Sequence, residues 1–224
     1  MSAPLQKIAS GKIVSGLALA GAALALSACV TVFPKTEPSG LYRFGTTPPA
    51  VSKGPPGAMF GVLKAPTVFT RPAAGDRILT TSPGGEAAYV ADARWLAPAS
   101  VQFDEALSRA FDADPGRARL IGRGEVAKAQ MVLRLEVRTF EAAYVDGPKA
   151  APEIVIQVRG VISRSADRAL VGDQVFEAKV KATDNRVGPI VQAFDEANTK
   201  VVGDIVDWIN AAGAGLPADP PPAG

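Results

Sequence analysis

The chain has no histidine, a single cysteine among its 224 residues, and few aromatic side chains, 6% in all. The missing histidine excludes Ser–His–Asp and Cys–His nucleophile activation and every zinc site that uses imidazole. A lone Cys29 excludes an internal disulfide and a cysteine metal cluster. There is no Walker loop, so the chain does not itself hydrolyse ATP. Gly122-Arg123-Gly124 with Ala127 imitates the start of a dinucleotide fingerprint. Its third position is Ala, however, and the following residues run into a strand instead of opening a helix. Aspartates and glutamates are scattered without a spacing that would pair them. The expectation is a protein that is not an enzyme and holds no cofactor and no metal. An excess of charge is missing too. Without Lys7 and Lys12, 22 basic side chains balance 22 acidic ones, which gives no electrostatic reason to bind nucleic acid.

What the chain does have is concentrated at its start. Lys7 and Lys12 precede a run from Ile13 to Ala28 that carries no charge and is mostly Ala, Leu and Gly. A positive segment followed by an apolar one of this length reads as an export signal and is short for a membrane span. The run closes on Leu26-Ser27-Ala28-Cys29: a branched aliphatic residue, two small residues and a thiol. This resembles the bacterial lipobox at all four positions. The resemblance implies that Cys29 carries a thioether-linked diacylglycerol, that the peptide is cut before it, and that the new amine is acylated. Residues 1–28 are then the signal peptide, and the acyl chains hold the protein on a membrane. A plain signal peptide with a stray cysteine and an uncut anchor are the alternatives, although an exported, unmodified thiol is a liability. Val30 and Thr31 come next, where an Asp after the cysteine favours inner-membrane retention in many Gram-negative bacteria. The resemblance therefore implies outer-membrane anchoring, facing the periplasm.

Residues 29–57 hold Pro34, Pro38, Pro48, Pro49, Pro55 and Pro56 among several glycines and read as an extended tether. Within it, Leu41-Tyr42-Arg43-Phe44 alternates as a candidate edge strand. Residues 212–224, rich in Pro, Ala and Gly, read as a disordered tail. Residues 58–211 are expected to form one domain. Met59 to Phe69, broken at Pro66, Arg77 to Thr81 and Ala87 to Ala91 are candidate strands, with a turn at Ser82-Pro83-Gly84-Gly85. Phe103, Ala106, Leu107, Ala110 and Phe111 recur at helical spacing, with Ser100 as the cap and Asp104 and Glu105 near the positive end of the dipole. Met131 to Val137, Ile154 to Val158 and Phe176 to Val180 alternate apolar and polar residues. Strands with one wet face favour antiparallel pairing, here through turns at Gly147-Pro148 and Ala166-Asp167-Arg168. A last helix from Val187 to Asn210 carries Val187, Val191, Phe194, Ala197, Val201, Ile205 and Trp208 on one stripe, capped by Asp184 or Asn185. The expected fold class is α+β, a two-layer domain with an antiparallel sheet and two helices packed on one face.

One set of residues is more specific. Tyr89 precedes Arg94-Trp95, Phe140 and Tyr144 follow the first strong strand, and Ala193-Phe194, Ala197 and Trp208 lie in the last helix. In that order the chain resembles the ABC-type transport auxiliary lipoprotein family, which includes the lipoprotein subunit of the Pqi lipid-transport system. The resemblance runs from Met59 to Ile209, with Ala129-Gln130-Met131-Val132-Leu133 a partial match to the family's second element. Read as structure, Arg94-Trp95 is a core-edge anchor, its indole under the helix and its guanidinium on carbonyls or a carboxylate, and Phe194 and Trp208 are core residues. The other reading of these residues is direct partner contact.

The resemblance implies a non-catalytic subunit of an MCE-type ABC transporter that moves lipids. Its partners would be an MCE-domain protein, which it docks, and an inner-membrane permease and ATPase; a homo-oligomeric ring is one arrangement. Two other classes stay open: an outer-membrane lipoprotein that assembles or activates a cell-wall synthase or secretion pore, and a lipid carrier with its own cavity.

Overall fold

A computed structural model describes residues 39–47, 49, 59–122, 125 and 127–214. The signal peptide, Leu26-Ser27-Ala28-Cys29, most of the tether and all but the first three residues of the tail lie outside the described residues.

The spine of the sheet is β7 (Ala129–Ala143), where Met131, Leu133, Leu135 and Val137 are buried and the residues between them face outward. On one edge β7 pairs antiparallel with β8 (Glu153–Arg164), and β8 with β9 (Leu170–Lys181). On its other edge β7 takes three short strands in succession, all parallel to it. β2 (Phe60–Lys64) lies along Ala129–Leu133, β3 (Val68–Phe69) along Glu136–Val137, and β4 (Arg77–Thr81) along Ala142–Ala143. These are one run of chain, interrupted by Pro66, which has no N–H to donate, and by α1 (Arg71–Ala74), a single turn containing Pro72. The ladder persists between the pieces, with Ala65 N–H donating to the Leu133 carbonyl at 2.9 Å and Thr70 N–H to that of Val137 at 3.3 Å. β5 (Ala87–Trp95) returns antiparallel on β4, and β1 (Gly40–Tyr42) lies parallel on the end of β5. β6 (Ala118–Leu120) is parallel to β2.

The described residues thus form one nine-stranded sheet. The α+β class holds, but the sheet is mixed and not antiparallel throughout. The polar alternation that suggests antiparallel pairing belongs to β7, β8 and β9 alone. The fold also begins ahead of the boundary expected at 58: β1 is part of the sheet and Phe44 is fully buried.

Two long helices cover one face. α2 (Ala99–Ala113) buries Phe103, Ala106, Leu107, Ala110 and Phe111, as their spacing requires. Ser100 does not cap it. Pro98 occupies that position, and the Ser100 hydroxyl instead donates to the Ala74 carbonyl at 3.1 Å, tying α2 to α1. α3 (Val187–Ala212) follows Arg186, also without a side-chain cap, because the Asp184 carboxylate accepts from Asn185 N–H and the Arg186 guanidinium. Its buried stripe runs through Ile190, Phe194, Ala197, Val201, Ile205 and Ile209, leaving Val187, Val191 and Trp208 half-buried at the margin.

Asn210, only 4% exposed, locks α3 to the loop after α2. Its Oδ1 accepts from Arg117 N–H at 2.8 Å and Ala118 N–H at 2.9 Å, and its Nδ2 donates to Asp114 Oδ2 at 2.6 Å. Each of these groups would cost about 1–3 kcal/mol if buried without a partner.

Candidate functional site

Three of the seven motif residues meet in one place, and two bulges bring them there. Just before Trp95, the three residues from Leu79 to Arg77 on β4 are matched by six on β5, from Tyr89 to Arg94. Asp92, inside this bulge, has φ 52°, a left-handed conformation that its short polar side chain tolerates. Beyond it Ala93 and Trp95 are buried and Arg94 is exposed. The second bulge, between Val137 and Thr139 on β7, moves the buried side chains from odd to even positions and so turns Phe140 inward. Phe194 arrives on the buried stripe of α3.

The Trp95 and Phe194 rings stand edge to face with centroids 5.2 Å apart, and Phe140 is 5.1 Å from Phe194. Phe44 closes the cluster at 4.9 Å from Trp95 and 5.1 Å from Phe140, and Phe69 links Phe140 to Phe103. Such pairs add about 0.5–1.5 kcal/mol each beyond the burial of their area. Phe44 is the member that a tether assignment misses. Its only signal is the alternation of Leu41-Tyr42-Arg43-Phe44.

The other four motif residues stand apart. Arg94 pairs with Asp76 at 3.0 Å on the surface. Tyr89 donates to the Pro72 carbonyl at 3.3 Å, and the Arg77 guanidinium lies 3.9 Å from its ring centroid. Tyr144 donates to Asn185 Oδ1 at 2.8 Å, and burial pushes its phenol above the ordinary tyrosine value. Trp208 lies across Gly160 of β8 and Gly172 of β9, where a Cβ would meet the indole at 3.0 and 2.9 Å, and it stands edge-on to Phe176 at 5.3 Å. No two of the titratable members, Tyr89, Arg94 and Tyr144, bond to each other. Trp95, Phe140 and Phe194 build the core, and the other four lie at its margin or on the surface.

Two surfaces border this core. On the outward face of the meander, Arg159 Nε donates to Asp173 Oδ1 at 2.9 Å; this bond holds the Asp173 carboxyl below the usual carboxylate range and raises Arg159. Glu177 is likewise lowered by its bonds from Lys179 and Gln157. Arg138–Glu136, Arg159–Asp173 and Lys179–Glu177 form ion pairs on this face, which suits solvation.

The second surface is where the segment after β1 crosses α3. Gly45 turns it at φ 68°, and a Cβ there would meet that of Ala106 at 2.6 Å. Thr46 N–H donates to Asp195 Oδ1 at 2.8 Å, the Thr47 hydroxyl donates to Asp195 Oδ2, and the Thr199 hydroxyl donates to the Thr47 carbonyl at 3.2 Å. Open clefts of about 430 and 470 Å³ flank the crossing. In the first, Arg109 donates to the Gly45 carbonyl at 2.7 Å beside the buried Asn198. Among the described residues no three His, Cys, Asp or Glu side chains converge as metal ligands, and no helix is long and apolar enough to cross a membrane.

Comparison with known proteins bears on both fold and class. The model of a family described as "ABC-type transport auxiliary lipoprotein component" matches residues 42–206, from the end of β1 almost to the end of α3. A crystal structure of a Xanthomonas campestris protein from family DUF330 is similar at TM-score 0.68 and 22% identity, over 78% of this chain and 96% of that one. A crystal structure of an uncharacterised protein is similar at TM-score 0.60 and 14% identity, over 77% of this chain and 99% of that one. At such identities these likenesses concern the fold alone. No curated protein matches the chain.

Proposed function

Because the chain belongs to the ABC-type transport auxiliary lipoprotein family, we propose that it is the non-catalytic lipoprotein subunit of an MCE-type ABC transporter moving lipids between the inner and outer membranes. Acyl chains on Cys29 hold it on the outer membrane, the folded domain faces the periplasm, and that domain docks the periplasmic MCE conduit. The ATPase and permease of the same system supply the energy and the inner-membrane passage. The observation that carries this reading is the family match over 42–206, which takes in every element from the end of β1 to α3. The lipobox-like Leu26-Ser27-Ala28-Cys29 supports the anchored half. The interior position of Trp95, Phe140 and Phe194 supports a division of labour in which the family pattern maintains the scaffold and exposed surface makes the contact.

The test is mild crosslinking of the full-length, membrane-anchored protein, followed by affinity purification and mass spectrometry. Recovery of an MCE-domain protein with its permease or ATPase is the expected result. Recovery of a cell-wall synthase or a secretin in their place overturns the transporter reading. Palmitate labelling that survives Cys29→Ser overturns the anchor.

A further inference from the structure

The sheet ends at β9. Among the described residues β9 pairs only with β8, so along its other side alternate backbone N–H and C=O groups over a twelve-residue strand have no strand partner. Long edge strands are usually blunted by proline, a bulge or charge. β9 contains no proline, its one irregularity lies at its start opposite Ile162 and Ser163, and its charged residues, Asp173, Glu177 and the two lysines at 179 and 181, are each taken up in ion pairs. Ahead of those lysines, Leu170 and Val175 are 66% and 48% exposed. Beside the middle of the edge a shallow groove of about 560 Å³ runs between Gln174–Glu177 and the last turns of α3, with Trp208 and Phe176 in its floor and Asp204 and Asp207 in its wall. Asp204 is paired with Lys200 at 2.8 Å, whereas Asp207 is exposed and forms no ion pair among the described residues.

We propose that the β9 edge and this groove receive an extended segment of a partner protein as an added strand, one with an aliphatic side chain over Trp208 and a lysine or arginine against Asp207. The free edge supplies main-chain hydrogen bonds, and alternate side chains of the incoming strand supply selectivity. Trp208 and Asp207 both belong to the helix that covers one face of the sheet, so the aliphatic and basic residues sit two apart on the incoming strand. The unpaired carboxylate sets the sign of the partner's charge. A second copy of this chain fits poorly. Antiparallel β9–β9 pairing about a two-fold axis lays both α3 helices on the same face and sets Asp204 and Asp207 against their equivalents. An anionic lipid headgroup meets the same carboxylates. This surface is separate from the aromatic core, and the proposal stands whichever transporter the chain serves.

The test uses the full-length protein in detergent micelles and the end-capped peptide Thr-Val-Thr-Lys-Thr-Val-Thr-Lys-Thr, followed by amide and indole NMR. Shifts confined to the β9 edge around Gln174–Glu177 and to the Trp208 indole are expected. Replacing the peptide's lysines by glutamate, or Asp207 by Lys or Asn in a protein with unchanged thermal unfolding, should each weaken binding, the charge reversals by about tenfold. The proposal is overturned if no shifts appear at β9, if both peptides bind alike, or if neither Asp207 variant changes affinity. β9 shifts that depend on protein concentration without peptide, with a dimer in sedimentation, overturn it in favour of a second copy.

Discussion

The two edges of β7 are assembled by different rules. On one, β8 and β9 follow in the chain and pair through two hairpins over nearly their whole lengths. On the other, three fragments between 60 and 81 lie parallel to β7, with β5, α2 and β6 intervening before the chain returns. Hairpins set register locally, through turns and period-two alternation. Parallel fragments have no turn to set theirs, so register there rests on burial. Phe60, Val62 and Ile78 are at most 1% exposed, and the aromatic cluster joins the segment after β1 to β3, β5, β7 and α3 at that side of the spine. Local order holds one edge and the core holds the other.

That contrast can be broken most directly at the core. Phe194→Ala removes the ring that touches both Trp95 and Phe140, and a loss of about 3–5 kcal/mol is expected in denaturant unfolding. A loss no greater than that of a surface change on the meander would show that burial is not what registers the fragments. Next in size is Asn210→Leu, which removes the Asn210 partner of Asp114 Oδ2 and of the Arg117 and Ala118 N–H groups. About 2–4 kcal/mol should be lost, with the hydrogen exchange of β6 rising more than that of β9. Gly160→Ala tests the hairpin side. Its new Cβ would press on Trp208 at 3.0 Å and Phe176 at 3.1 Å. Because Trp208 sits at the margin and can give way, the cost should stay near 1–2 kcal/mol and show as altered Trp fluorescence.

The smallest effect is a dependence on pH. Burial raises the Tyr144 phenol above its ordinary value of 10.0, so the fold favours the neutral form. Its contribution is fully present below the tyrosine value of the unfolded chain and declines as pH rises from there through the raised folded value. Ultraviolet titration should find a tyrosine component ionising above the ordinary value, and Tyr144→Phe should remove it.

Elements with a strong period are legible in the sequence. α2, α3 and the inward rows of β7, β8 and β9 follow from residue spacing alone. The short strands are too brief to show a period, and nothing local announces that β2, β3 and β4 share one distant partner. Phe44 is hidden by the prolines and glycines around it, which read as a tether. The expected caps, Ser100, Asp184 and Asn185, fail because each has a nearer or better-placed bond: Ser100 to Ala74, Asp184 to Asn185 and Arg186, and Asn185 to Tyr144 and Pro148. Trp95, Phe140 and Phe194 are visible in the sequence as an ordered pattern, but their meeting depends on bulges, and a bulge leaves no mark in composition. Asn210 lacks any signal, since a polar residue near a helix end is ordinarily exposed. The lipidation residues around Cys29 lie outside the described residues.

The entry of the chain into its fold also has a mechanical meaning. Tension that arrives from the residues before Ser39 enters the fold at one short edge strand. It meets β1, held by three residue pairs to β5, then the buried ring of Phe44, then the clasp of Thr46 and Thr47 on Asp195. These elements meet the load first, one after another along the chain. The domain therefore has a fuse at its N-terminal entry.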